Sequence, residues 1–261
     1  MKRYYATPRL NRGGRTTAML LMIAVVFSMT AGYIPAQSYS EKHKAEIIID
    51  PADKRNVSGF VNICFAYPDR ISRTLDVRRG LINLKEAMLK WTKIDTRMDK
   101  PLPLSSPNIL EMPFIYIAFD QGLDLTEPEK KNVNEYLVNG GFMVIENVNS
   151  SLEMNVSDSM FKKIFQGVME KKGRFAPIYN DHPLYYSFFD FTDGPPRGDE
   201  TQMVEVRSLE GLFIGDRLAA IYSNKRYVNK WIDNNDPQLR MGVNMLVFAL
   251  KQHGGIAKVT R

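Results

Sequence analysis

The chain has 261 residues, 44% of them hydrophobic and 25% charged, with 35 Lys and Arg against 29 Asp and Glu. Five of the cations, Lys2, Arg3, Arg9, Arg12 and Arg15, precede residue 37, where there is no acid, so the remainder is close to neutral at 30 against 29. A nucleic-acid binder needs a concentrated cationic face to displace counterions from phosphate, and the absence of such a run excludes that class. A single cysteine, Cys64, excludes an internal disulfide, so stability must come from packing.

The basic start leads into an unbroken apolar-to-neutral run, Thr16 to Gly32, centred on Met19–Phe27. Cations, then a short apolar stretch, then small residues is the layout of a secretory signal. Its apolar heart is shorter than the roughly 20 residues a spanning helix needs. Residues 1–36 are therefore expected to be a signal peptide cut after Ala36, or else an uncleaved anchor holding the chain to the membrane through residues 16–32. Either way the positive end stays cytoplasmic. The rest is exported, to the periplasm or the outer face of the cytoplasmic membrane.

Residues 37–58 are polar and charged and read as a tether ending in a short strand or arm. A single α/β domain is expected over 59–255, with a basic tail at 256–261. Phe60–Tyr67 reads as a strand, with Cys64 as a small buried residue in it. Val77, Leu81, Leu84, Met88 and Trp91 stand at helical spacing within Asp76–Trp91. Pro113–Phe119 is nearly all apolar, as a strand covered on both faces requires. Thr126 and Glu129 have capping-box spacing. Their helix runs to Val138 and stops at Asn139-Gly140-Gly141, before a strand at Phe142–Ile145. Ser157 opens a further helix to Val168. Residues 174–216 read as loop-rich, with an aromatic cluster at Tyr185–Phe191 that is more ordinary as core than as a ligand platform. Leu218–Tyr222 is a late strand, and Asp236-Pro237 opens the last helix. Strands alternate with helices, which predicts a three-layer sandwich with a mostly parallel sheet.

Ligands of such sheets sit beyond the carboxyl ends of the strands. That edge selects Asp69 after the first strand, Asp120 and Gln121 after the second, and Glu146 and Asn147 after the third. His182, Asp216 and Arg217 are placed to join them from the later loops. Asp120, Glu146 and His182 are the candidates for acid–base catalysis. Asp69, Gln121, Asn147, Asp216 and Arg217 are the candidates for ligand binding. The competing reading is that these residues cap backbone amides in ordinary turns. No spacing of His, Cys or Glu suits a metal, and no phosphate-binding glycine loop or nucleophile elbow is present. No cofactor is expected.

Several motifs in order resemble one bacterial family, called domain of unknown function 4159. The segment Pro113–Asn147 resembles its central signature: a proline-led aromatic strand, a capped helix with an acidic start, a double-glycine stop and a strand. Asn180–Tyr185 resembles its His-Pro-aromatic motif. Glu210–Leu218 resembles its hairpin, and Arg240–Asn244 with Phe248–Leu250 its closing helix; the resemblance spans 59–252. It implies a flavodoxin-like sandwich similar to class I glutamine amidotransferases, in an envelope protein often anchored to a membrane, and it implies no known activity. The family commonly has an aspartate pair where this chain has Glu146-Asn147. Amidotransferase chemistry would need a cysteine on that strand-to-helix turn, and none is there. The sequence thus points to a non-catalytic module binding a small ligand or another envelope protein. A hydrolase or lyase acting on an envelope glycan or peptide is the alternative.

Overall fold

A computed structural model describes residues 44–70, 77–120, 123–148, 165, 173–199 and 208–260. The segment expected to direct export, Gln121 and, apart from the buried helical residue Phe165, the helix expected from Ser157 lie outside the described residues. Among the described residues no helix is long and apolar enough to cross a membrane.

The sheet begins with a hairpin of β1 (Ala45–Asp50) and β2 (Asp53–Tyr67). β3 (Lys93–Met98), β4 (Leu102–Pro103) and β5 (Phe114–Phe119) each lie parallel to β2. β6 (Met143–Asn147) is parallel to β5, and β9 (Arg217–Ser223) is parallel to β6. β7 (Gly173–Ile178) and β8 (Leu209–Ile214) extend that side antiparallel, and β10 (Lys258–Thr260) closes the other side beside β1. The order is β10-β1-β2-β5-β6-β9-β8-β7, with β3 and β4 also on β2. The centre is parallel, as the alternation of strands and helices predicts; of the antiparallel pairs, β1–β2 and β8–β9 have short connections, whereas β7 and β8 pair across a long one. Gly215 and Asp216 alone join β8 to β9, and two residues cannot make the crossover a parallel pair needs.

Side chains alternate across the strands, and each face has its own core. On one face Ile63, Phe65, Tyr116 and Val144 meet α1 (Arg78–Trp91), α3 (Tyr227–Ile232) and α4 (Asp236–Lys251) through Leu84, Trp231 and Met245. On the other, Cys64, Ile115, Ile117 and Ile145 meet α2 (Glu127–Val138) through Val133, Tyr136 and Leu137. This is why β5 reads as an unbroken apolar run: all six of its residues are buried. The capping box of α2 closes, with the Thr126 amide donating to Glu129 Oε2 at 2.6 Å. Its end needs both glycines. Gly140 has φ +100°, and a Cβ on Gly141 would lie 2.4 Å from the Tyr136 ring.

Three stretches differ from expectation. Residues 45–58, read as a tether ending in a short strand or arm, form the hairpin of β1 with the first part of β2. Ala45, Ile47 and Val57 there are fully buried, because alternate apolar residues on a hairpin all reach one core. Residues 258–260, read as tail, form β10. The loop-rich stretch 174–216 contains β7, a 3-10 turn at Pro183–Tyr186 and β8. In the aromatic cluster Tyr185 and Phe188 are core residues.

Candidate functional site

β5, β6 and β9 run in register, with Ala118 beside Glu146 and Glu146 beside Ser223. Asp120, Val148 and Asn224–Arg226 therefore emerge at one edge. β2 joins them, since its Phe65 pairs with Tyr116. Asp69 is held toward α2: its amide donates to Glu129 Oε1 at 2.6 Å, and Ser105 Oγ donates to its carboxylate at 2.9 Å. Glu129 thus ties the loop after β2 to the start of α2.

Glu146 and Asn147 lie inside β6, and both are buried. Four donors enclose the Glu146 carboxylate. Tyr116 Oη donates to Oε2 at 2.5 Å, the Val228 amide to Oε2 at 2.9 Å, Ser223 Oγ to Oε1 at 3.0 Å, and the Tyr227 amide to Oε1 at 2.7 Å. Four donors match the lone-pair sites of an ionised carboxylate. Burial pushes its pKa up, against the downward pull of those bonds. Burial, then the Glu146 charge, also holds the Tyr116 phenol well above its ordinary range. Glu146 therefore binds the first turn of α3 to β5 and β9, and none of its oxygens is turned to solvent.

His182, Asp216 and Arg217 are at the opposite edge. The His182 ring lies 5.4 Å from Phe248, which lies 5.9 Å from Phe142. Phe142 immediately precedes β6. At about 3.3 Å per residue, Glu146 is roughly 13 Å further along that strand. His182 Nδ1 accepts from the Leu184 amide at 3.2 Å, capping the 3-10 turn, and burial lowers its pKa. Asp216 is exposed in the β8–β9 turn. Arg217 donates to Leu137 O, one of the last carbonyls of α2, and at 3.0 Å to Gly141 O beyond the helix end. His182 and Arg217 have structural work at the amino edge, Asp216 is exposed there, and none of the three meets Asp120.

The carboxyl edge holds groups that sequence reasoning missed. Lys225 is fully buried and Arg226 nearly so. Arg226 has φ +53°, a left-handed conformation uncommon for a residue other than glycine, and such strain clusters at ligand sites and switches. Asp199 anchors this corner. Its amide donates to Lys225 O at 2.7 Å, and its carboxylate takes Asn229 Nδ2 at 3.1 Å and pairs with Lys230 at 3.2 Å and Arg226 at 3.9 Å. Burial tends to raise the Asp199 pKa, but those donors and cations hold it below the ordinary value. The available signal was Lys225-Arg226 directly after an apolar strand, a place where cations are costly without a purpose.

Cys64 lies within β2, and burial, with Asp99 adding to it, pushes its thiol up to about 12. It is no nucleophile at neutral pH. Among the described residues no three His, Cys, Asp or Glu side chains converge to hold a metal ion. Asp120, Lys225 and Arg226 thus lie together at the carboxyl edge of the parallel strands, the edge at which ligands of such sheets sit. No curated protein matches the chain. One family profile does, over residues 69–250. That span runs from the end of β2 to the end of α4, takes in Asp120, Lys225 and Arg226, and covers more than half of the sequence, so the chain belongs to the family described as Domain of unknown function (DUF4159).

Proposed function

We propose that this is an exported envelope protein whose α/β domain is a non-catalytic binding module for a small ligand or another protein. The observation that carries the reading is the enclosure of Glu146 by four donors while His182 caps a turn at the opposite edge. The acid and base of a hydrolase must reach the same reacting atoms, and these two do not. The parallel order β3-β2-β5-β6-β9 is that of flavodoxin-like sheets. It supports a scaffold akin to class I glutamine amidotransferases, used without their cysteine chemistry. Binding would occur at the carboxyl edge, where Asp120 and Arg226 stand and where Gln121 and Asn147 are placed by sequence.

The test is complementation of a deletion strain. His182→Asn keeps a capping oxygen and should restore growth fully, whereas Asp120→Ala with Arg226→Ala should not. Loss of complementation by a folded, normally abundant His182→Asn protein would instead favour the hydrolase or lyase. Export is tested by fusing residues 1–41 to alkaline phosphatase, which becomes active only outside the cytoplasm. An inactive but abundant fusion would exclude export.

A further inference from the structure

A groove of about 810 Å3 separates α1 from the segment Met98–Pro101 that follows β3. That volume is within the range of small-molecule sites, roughly 300–1,000 Å3. Its floor is apolar, built from Phe65, Val77, Leu81 and Met98, with Ile82 on the wall. Its rim is charged. Arg78 and Lys85 project from α1 and Lys100 from the facing segment, and among the described residues none of the three takes part in an ion pair. The acids are Asp99 and Glu86. Both Asp99 oxygens accept from Asn62 Nδ2, at 3.2 and 3.3 Å, and Glu86 is exposed.

The start of α1 is built against the usual rule. Among the described residues its first turn carries Arg78 and Arg79 and no acid, and Val77 at the N-cap offers no side-chain bond. Helix amino ends favour negative charge, and cations there are unfavourable. An anion seated between Arg78, Lys85 and Lys100 would reverse that penalty while its apolar part lay against Ile82 and Met98, the partly exposed apolar residues of the lining. We infer that this groove is a binding site for a small amphipathic anion, a single sulfate-, phosphate- or carboxylate-type headgroup on an apolar body. The inference goes beyond the binding reading, since it concerns a site apart from the Asp120–Arg226 corner and names the ligand class of that site.

The experiment is calorimetric titration of the full chain with octyl sulfate below its micelle concentration, beside octyltrimethylammonium. One saturable site for octyl sulfate is expected, with no binding of the cation. Arg78→Glu and Lys85→Glu should each weaken binding at least about tenfold, the scale of one charge-assisted contact. Arg78→Glu should also leave the free protein's melting temperature unchanged or higher, since it restores an acid to the first turn. Inorganic sulfate alone should bind more weakly than octyl sulfate, because it leaves the apolar floor uncovered. The inference is overturned if octyl sulfate does not saturate, if the ammonium binds equally, or if both variants bind as the parent does. Complementation by the Asp120→Ala, Arg226→Ala protein reads a different site, so the two readings fail separately.

Discussion

Glu146 shows how far one residue type can be misplaced by sequence pattern. A carboxylate at the end of an apolar strand looks like a solvent-edge acid, yet β6 extends through Asn147 and turns Glu146 inward. Glu146→Gln keeps the shape but sets an amide NH2 against two of four donors. The expected loss is about 2–4 kcal/mol from unsatisfied buried groups, read as a lower urea midpoint. Equal stability of the variant would mean that the carboxyl is protonated in the folded chain. His182 has the opposite lesson: a loop histidine used as a cap. Its folded pKa is depressed by burial below the ordinary 6.5, so the unfolded chain binds the proton more readily. Its contribution is intact above pH 6.5 and is lost as pH falls through the folded value. Stability of the parent should therefore fall more steeply between pH 7 and 5 than that of His182→Asn, measured by urea unfolding at each pH. Parallel profiles would refute this.

At the scale of elements, legibility followed burial. β5, α2 and α4 were plain because an apolar run, a capping box and a Pro after Asp236 each answer to one local cause. β7 and β8 were hidden because Pro177, Gly211 and the polar Arg174 and Glu210 dilute their pattern, although Ile178, Leu209, Leu212 and Phe213 are buried in the cores. The junction of α1 with α3 and α4 was also invisible. Gly80 and Gly242 admit Trp231 between helices, and a Cβ on Gly80 would lie 2.9 Å from Val228 Cγ2 and 3.0 Å from Val228 O. Overpacking costs about 1–3 kcal/mol, against about 1 kcal/mol gained by removing a helical glycine. Because a backbone oxygen cannot rotate aside, Gly80→Ala should be net destabilising by about 1–2 kcal/mol. The melting temperature should drop by a few degrees, at about 2–4 °C per kcal/mol for a domain of this size. An unchanged or raised melting temperature would show that α3 yields.

For the whole molecule, the compact unit runs from Lys42 to Arg261, wider than the domain expected from residue 59. A protein beginning at Lys42 should unfold in one transition. One beginning at Gly59 loses β1, the first part of β2 and the buried side chains Ile47 and Val57. Burying each is worth about 1.5–3 kcal/mol, a large share of a typical 5–15 kcal/mol stability. The shorter protein should aggregate or unfold at much lower denaturant; equal midpoints for the two would show β1 to be dispensable.

The sequence by itself determined the α/β class, the parallel centre of the sheet, the cap and stop of α2, and the family. These rest on local periodicity and turn chemistry, which neighbouring residues enforce. The division of the candidate residues between two edges was decided only in three dimensions. Asp120 follows β5 while Glu146 lies within the adjacent β6, and a residue or two of strand length separates an edge from a core. His182, Asp216 and Arg217 come from a hairpin and turn whose antiparallel pairing carries them to the amino edge. The Lys225–Arg226 corner and the groove on α1 likewise required long-range packing, because each is assembled from segments that sequence order keeps apart.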